Sequence, residues 1–366
     1  MDRHRETAAR NAEPWLLRVL RGEEPSIPGR AARAALSTLS PAYAAAVAAR
    51  NAAFDLGLRR SHTLPRPVIS VGNLSAGGTG KTPCVAEVLR TLLQLGRRPA
   101  VLMRGYRAPA HGVVGGDEAA LYAQAFGDAV PVGANPDRLA AALDLLRRRP
   151  EVDAFVLDDG YQHRRVRRDL DLLLIDGESW GRDRLLPAGL LREPRAAIRR
   201  ADLVIVTHAD RGRDTLEALR ACCAQPVLAA QHLWVGLVGG DGQTLPLDTV
   251  AGRRVLAVCG IGKPAGFAHA LHRLAAPTSE LIVRPDHAGY DRPQLAAWLQ
   301  QAQATGCEAV LTTEKDWVKW KPLLEAEPQL VPEGLSVLRP VLRFELDDPE
   351  GLLAAAIARA VGSAPA

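Results

Sequence analysis

The stretch that decides the fold is Val71-Gly72-Asn73-Leu74-Ser75-Ala76-Gly77-Gly78-Thr79-Gly80-Lys81-Thr82-Pro83, VGNLSAGGTGKTP. An apolar run, PVISVGN (67–73), leads into it, and an apolar-periodic run, TPCVAEVLRTLLQLG (82–96), leads out. Strand, glycine loop and helix in that order form the context a phosphate-binding loop requires. Glycines allow backbone N–H groups to approach phosphate oxygens, and the following helix adds the positive end of its dipole. The expected phosphate-binding residues are Gly77, Gly78, Thr79, Gly80, Lys81 and Thr82. Lys81 would reach the β/γ-phosphates, and Thr82 would offer its hydroxyl to Mg²⁺. Ser75 stands where the usual G-x-x-x-x-G-K-[ST] pattern has glycine. The bland alternative is a glycine-rich turn with a chance lysine, and the flanking strand and helix favour the phosphate loop over it. Pro83 costs little in a helix's first turn, where its missing N–H has no partner to lose.

Outward from the loop, apolar strands alternate with helical patterns. VDAFVLDDG (152–160), LDLLLID (170–176) and ADLVIVTHAD (201–210) read as further strands, with PDRLAAALDLLRRRP (136–150) as a helix between. The alternation predicts an α/β fold: a P-loop NTPase-like parallel sheet with helices on both faces, over residues 66–225. Residues 226–252 read as a β-rich linker, and 253–366 as a second, smaller α/β domain. EAVLTTEKD there reads as a strand whose end carries Glu314, Lys315 and Asp316. Residues 1–65 form a basic, alanine-rich arm with Trp15, Leu16, Val19 and Leu20 at helical spacing. Such an arm either lies on an anionic membrane surface or packs on its own domain. Its longest uncharged run, 34–49, is shorter than the ~20 apolar residues a spanning helix needs.

The chain has 366 residues, 47% of them apolar, and a net charge of +5, which suits an anionic partner without choosing among nucleotide, phospholipid and nucleic acid. Five cysteines without a C-x-x-C or zinc spacing point to reduced thiols. The chemistry is concentrated after the strand AFVLDDG. Asp158 and Asp159 end it as the acids of a Walker-B strand do, and a role in holding Mg²⁺ is favoured over exposed turn aspartates. Tyr161-Gln162-His163-Arg164-Arg165 then gathers polar and cationic groups beside them, either a solvated face or a clamp on an anionic acceptor. Asp117 and Glu118 open a helix after a glycine pair, and by themselves are ordinary first-turn acids. His287 in RPDHAGYD has a carboxylate neighbour, the pairing of a general base, although a lone histidine is more often structural.

Taken together, these segments resemble one family: the bacterial tetraacyldisaccharide 4′-kinases, which phosphorylate the lipid A precursor. The likeness rests on VGNLSAGGTGKTP, RGY (104–106), GDEAAL (116–121), DDGYQHRRVRRDLDLLLID, LLPAGLLREP (185–194), GIGKPAGF (260–267), PDHAGY and TTEKDWVK, in order from 67 to 319. The family's loop also lacks the first glycine. The resemblance implies transfer of the ATP γ-phosphate to the 4′-hydroxyl of a tetraacylated disaccharide 1-phosphate, with Mg²⁺. It implies a peripheral position on the cytoplasmic face of the inner membrane, with the lipid A disaccharide precursor and the anionic membrane surface as partners. Nucleic acid and an obligatory protein partner are not expected. It further implies that Asp117 is catalytic and paired with His287, and that Lys81 assists. Asp158, Asp159, Thr82 and Glu118 stand near the metal, while Gln162, His163, Arg168, Arg192 and Glu193 serve the acceptor. The competing readings are a P-loop GTPase-like switch or chaperone, for which VIVTHAD offers a base-recognition echo, and a soluble sugar or nucleoside kinase.

Overall fold

The computed structural model describes residues 15–105, 116–181, 183–286 and 288–362. They form two compact units. Of the described residues, one unit comprises 19–232 with 344–362, and the other 233–343 with 15–18.

In chain order the first unit carries the end of helix α1 (Trp15–Arg21), from Val19 on, then α2 (Ile27–Asp55), strand β1 (Val68–Asn73), α3 (Lys81–Gln94), β2 (Pro99–Met103), α4 (Asp117–Phe126), β3 (Val132–Ala134), α5 (Arg138–Arg148), β4 (Ala154–Asp158), β5 (Leu170–Asp176), β6 (Leu203–Thr207), α6 (Arg213–Cys222) and the start of β7 (Val227–Gly239). Its strands pair in the order β3-β2-β4-β1-β5-β6-β7, every pairing parallel. Strands β1, β4, β5 and β6 are buried along their whole length. That is why their sequences are continuous apolar runs rather than alternating ones. Successive side chains still serve opposite faces. Ile69, Val71 and Val156 pack with Val85, Val88 and Leu89 of α3, while Val68, Phe155 and Leu157 pack with Ala141, Ala142 and Leu145 of α5.

Helix α2 begins at Ser26, whose hydroxyl caps Gly29 N–H, and it runs through Pro41. Its inner face is tied to the 185–193 segment: Tyr43 Oη donates to Arg192 O at 3.0 Å, and Arg50 and Asn51 both donate to Glu193. Among the described residues no helix is long and apolar enough to cross a membrane.

The second unit continues β7 and adds β8 (Thr244–Leu245), β9 (Val255–Cys259), α7 (Pro264–Arg273), β10 (Thr278–Val283), α8 (Arg292–Ala304), β11 (Ala309–Thr312), α9 (Glu314–Ala326) and most of β12 (Ser336–Asp347). Strands β10, β9, β11 and β12 pair in that order, all parallel, and β8 pairs antiparallel with β7. Two expectations change here. Glu314, Lys315 and Asp316 do not end a strand: Thr313 caps Asp316 N–H, and the three residues form the first turn of α9. The last helix, α10 (Leu352–Val361), groups with the first unit rather than with residues 253–343, because Leu353, Ala356 and Ile357 pack against Leu89 and Leu92 of α3 in one core. The five cysteines are all free thiols.

Candidate active site

The loop between β1 and α3 adopts the conformations its glycines permit. Gly77 has φ +145° and Gly80 φ +77°, both in the region that favours glycine. Gly80 precedes α3 with no side chain capping it, so the first-turn N–H groups of that helix are left as donors for a ligand. The loop is pinned on both flanks. Ala76 N donates to Leu190 O and Arg192 N to Leu74 O, so LLREP runs beside its first half. Asn73 Nδ2 donates to Thr79 Oγ1 at 2.9 Å, and Gln162 Nε2 donates to Asn73 O at 2.8 Å.

The acids stand beside this loop because β1 and β4 are parallel neighbours, with Val71 opposite Asp158. Lys81 Nζ lies 3.4 Å from Asp159 Oδ1 and 3.4 Å from Asn73 Oδ1. Arg192 Nη1 lies 2.8 Å from Asp159 Oδ2 and 3.4 Å from Gln162 Oε1. Burial pushes the Asp159 carboxyl up, but Lys81 and Arg192 outweigh it and hold the group below its usual range. Asp158 is in the opposite condition. It is buried and accepts a hydrogen bond from Tyr122 Oη at 2.9 Å. Burial first, then the charge of Glu118, raise its pKa to about 7. Two adjacent carboxylates are thus driven apart, one fixed as an anion and one poised to take a proton or a cation.

Tyr122 was not among the expected site residues. Its buried hydroxyl meets both Asp158 and the Thr82 side chain. It sits one helical turn after Glu118, so the i, i+4 spacing on α4 was the available signal. Asn73, the last residue of β1, was likewise missed.

Other expected residues are placed differently. Gln162 and Arg192 stand at the acids, as above. The His163 imidazole is held to about 4 by burial and then by Arg138, Arg168 and Arg165, so it is neutral at neutral pH. Arg168 does not face the acids. Its Nη2 donates to Gly160 O and Tyr161 O, and it pairs with Asp171 at 3.1 Å, holding the turn from behind. Glu193 is 0% exposed and closed between Arg50 and Arg200 at 2.8 and 2.6 Å, so an acceptor has no access to it. The side chain of Asp117 and the whole of His287 lie outside the described residues. Asp117 opens α4. Asp286 pairs with Lys315 at 2.8 Å, and Ala288 O accepts from Lys319 at 2.9 Å.

Three of the family motifs meet in the second unit. Asp316, from TTEKD, accepts from Tyr290 Oη of PDHAGY at 2.7 Å and from Gly260 N of GIGKPAGF at 2.8 Å. A Cβ at Gly260 would stand 2.5 Å from Tyr290 Oη, which explains the glycine.

Residues 32–358 match the family profile described as Tetraacyldisaccharide-1-P 4'-kinase. A Tetraacyldisaccharide 4'-kinase of Anaeromyxobacter dehalogenans is 39% identical over 327 residues, covering 83% of this chain and 85% of that one. One from Geobacter sulfurreducens is 40% identical over 314 residues, covering 81% and 87%. The crystal structure of LpxK from Aquifex aeolicus, in complex with ATP, matches with a TM-score of 0.70 at 30% identity over 90% of this chain and 99% of that one. A profile spanning most of the sequence, relatives matched over more than four fifths of their length and a shared fold agree: the chain belongs to the tetraacyldisaccharide-1-P 4'-kinase family.

Proposed function

We propose that the chain transfers the γ-phosphate of ATP to the 4′-hydroxyl of tetraacyldisaccharide 1-phosphate, forming the lipid A precursor lipid IVA. The observation that carries this reading is the meeting of Lys81, Asp158, Asp159, Gln162 and Arg192 at the carboxyl ends of β1 and β4, beside an uncapped helix N-terminus. ATP is the donor in keeping with the ATP complex of the Aquifex aeolicus relative.

Phosphoryl transfer asks the protein for positioning and for charge neutralisation. The N–H groups at the start of α3 face the phosphates, and Lys81 exchanges Asp159 for phosphate oxygens. A Cβ at Gly77 or Gly78 would meet no protein atom within 4 Å, so these glycines serve backbone shape and close approach of a ligand rather than packing. Thr82, Asp158, Asp159 and Glu118 offer hard oxygen donors, the set Mg²⁺ takes. The fit is supported by Asp158, a buried carboxylate with one tyrosine donor that a divalent cation would stabilise as an anion. When bound, Mg²⁺ neutralises charge on the β- and γ-phosphate oxygens. Asp117 takes the proton of the attacking hydroxyl, with His287 as the second catalytic residue. Gln162, His163 and Arg192 serve the acceptor, and Arg168 and Glu193 hold the turn and α2 that present them.

The arm of residues 1–65 rests on the anionic cytoplasmic face of the inner membrane. Exposed Ile27, Leu39, Leu56 and Leu58 support this, together with a cavity of about 520 Å³ lined by Phe54, Arg59, Arg60, His62 and Arg165 at the end of α2.

The test is transfer of radiolabelled γ-phosphate to a disaccharide 1-phosphate lipid in detergent. The wild type is expected to label the lipid and Asp117→Ala to fail. Absence of label with wild type overturns the function, and equal labelling by Asp117→Ala overturns the base.

A further inference from the structure

The carboxyl ends of β5 and β6 carry a polar cluster that the mechanism above leaves unused. Asp176 closes β5 and His208 follows β6, so both lie at the same edge of the sheet as Asn73 and Asp158. Strand β1 separates them from the acids: β4 is its neighbour on one side and β5 on the other. A nucleotide with its phosphates on the loop after β1 and its terminal phosphate toward β4 therefore has its nucleoside end over β5 and β6.

The cluster is physically joined to the phosphate loop. Thr207 Oγ1 donates to Thr79 O at 3.0 Å. A Cβ on Gly80 would fall 2.4 Å from the His232 ring, so that imidazole lies against the loop backbone. The His232 ring is 5.1 Å from that of His208, and both of its nitrogens are buried without a hydrogen-bond partner among the described residues. Such groups are uncommon in folded proteins and mark a cluster that is incomplete by itself. His208 holds φ +52°, a strained value for a residue with a side chain.

His208 Nδ1 lies 2.9 Å from the buried Asp176 Oδ1. Burial first, then Arg211, lower its pKa from the usual value, which favours the neutral ring. A neutral ring with its proton toward the carboxylate presents Nε2 as an acceptor. Asp176, Glu178 and His208 also have the composition of a cation site, their ligand atoms within 4.8 Å of one another. However, Arg211 already pairs with Glu178 at 2.9 Å, which supplies the positive charge.

We infer that His208, positioned by Asp176 and backed by His232, reads the base of the bound nucleotide, its Nε2 accepting from the exocyclic amine of adenine. Guanine has a carbonyl oxygen at that place and offers no such donor. The inference rests on the nucleotide reading of the phosphate loop and adds to it the choice of base.

The experiment is equilibrium binding of ATP, GTP and inorganic tripolyphosphate to the full chain with Mg²⁺. Wild type is expected to prefer ATP over GTP. His208→Ala is expected to weaken ATP roughly tenfold, the scale of one hydrogen bond, with GTP and tripolyphosphate unchanged. His208→Gln, whose amide oxygen also accepts, is expected to recover part of the loss. An unchanged ATP/GTP ratio in His208→Ala overturns the inference. So does an equal loss for tripolyphosphate, which would mark a structural effect on the loop. A wild type that binds none of the three overturns the phosphate-loop reading as well.

Discussion

Each compact unit holds a buried aspartate bonded by a tyrosine hydroxyl near the carboxyl end of a parallel strand. In the first unit it is Asp158 with Tyr122, and in the second Asp316 with Tyr290. Burial and first partner are alike, yet the two environments differ in donors. Asp316 also receives Gly260 N–H and the Thr313 hydroxyl. Among the described residues Asp158 has the tyrosine as its one hydrogen-bond donor, and burial, then the like charges of Glu118 and Asp159, outweigh the nearby Lys81. Hydrogen bonds to a carboxylate stabilise its charged form, whereas like charges oppose it. So Asp316 is a structural knot joining three loops, while Asp158 is the acid left short of donors, in keeping with the Mg²⁺ role proposed for it. Buried acids of similar appearance are told apart by counting what donates to them.

The largest effect expected separates the two in activity. Asp158→Ala should lower phosphoryl transfer by roughly 10²–10³-fold, as loss of a group acting on transition-state charge does. Its melting temperature should be at or above wild type, because an unfavourably buried carboxylate has gone. A lower melting temperature would break the comparison. Next, Asp316→Ala should unfold more easily by ~3–5 kcal/mol in a denaturant titration, since it strands buried donors. Stability equal to wild type would show that Asp316 is not the knot described.

Third in size, Glu193→Ala should cost about 2–3 kcal/mol, less than a fully buried pair because Arg50 and Arg200 are partly exposed. This variant tests whether an acid within a functional-looking motif acts through packing. Its KM for nucleotide should match wild type in the transfer assay. The smallest effect is one of pH. The folded His163 pKa of about 4 lies below the ordinary 6.5, so the unfolded chain binds the proton more readily between those values. Its contribution is full above 6.5 and is lost as pH falls toward 4, by about 1 kcal/mol after discounting for its solvent exposure. Stability curves of wild type and His163→Gln should therefore diverge only in that window.

The sheet of the first unit was legible in the sequence because strands covered on both faces must be apolar throughout, as VISVGN and AFVLD are. The phosphate loop was legible because its glycines, lysine and threonine are consecutive. The start of α9 was misjudged as strand although Thr313-Glu314-Lys315-Asp316 carries a helix-capping signal. Arg168 and Glu193 were expected at the acceptor because they lie in the right motifs. A motif fixes where the backbone goes and not the direction a side chain takes, and both turn inward to buried partners. Asp176 and His208 were not paired in advance because they are 32 residues apart and meet only through the register of β5 and β6.

By itself, then, the sequence determined the elements, the loop and the family, since these rest on local backbone chemistry and on the order of motifs. Only the tertiary structure decided the environment of each carboxylate. The donors that settle the matter come from afar, 36 residues away for Asp158 and 56 for the backbone N–H that holds Asp316. Protonation and charge depend on which such groups arrive, and packing alone brings them.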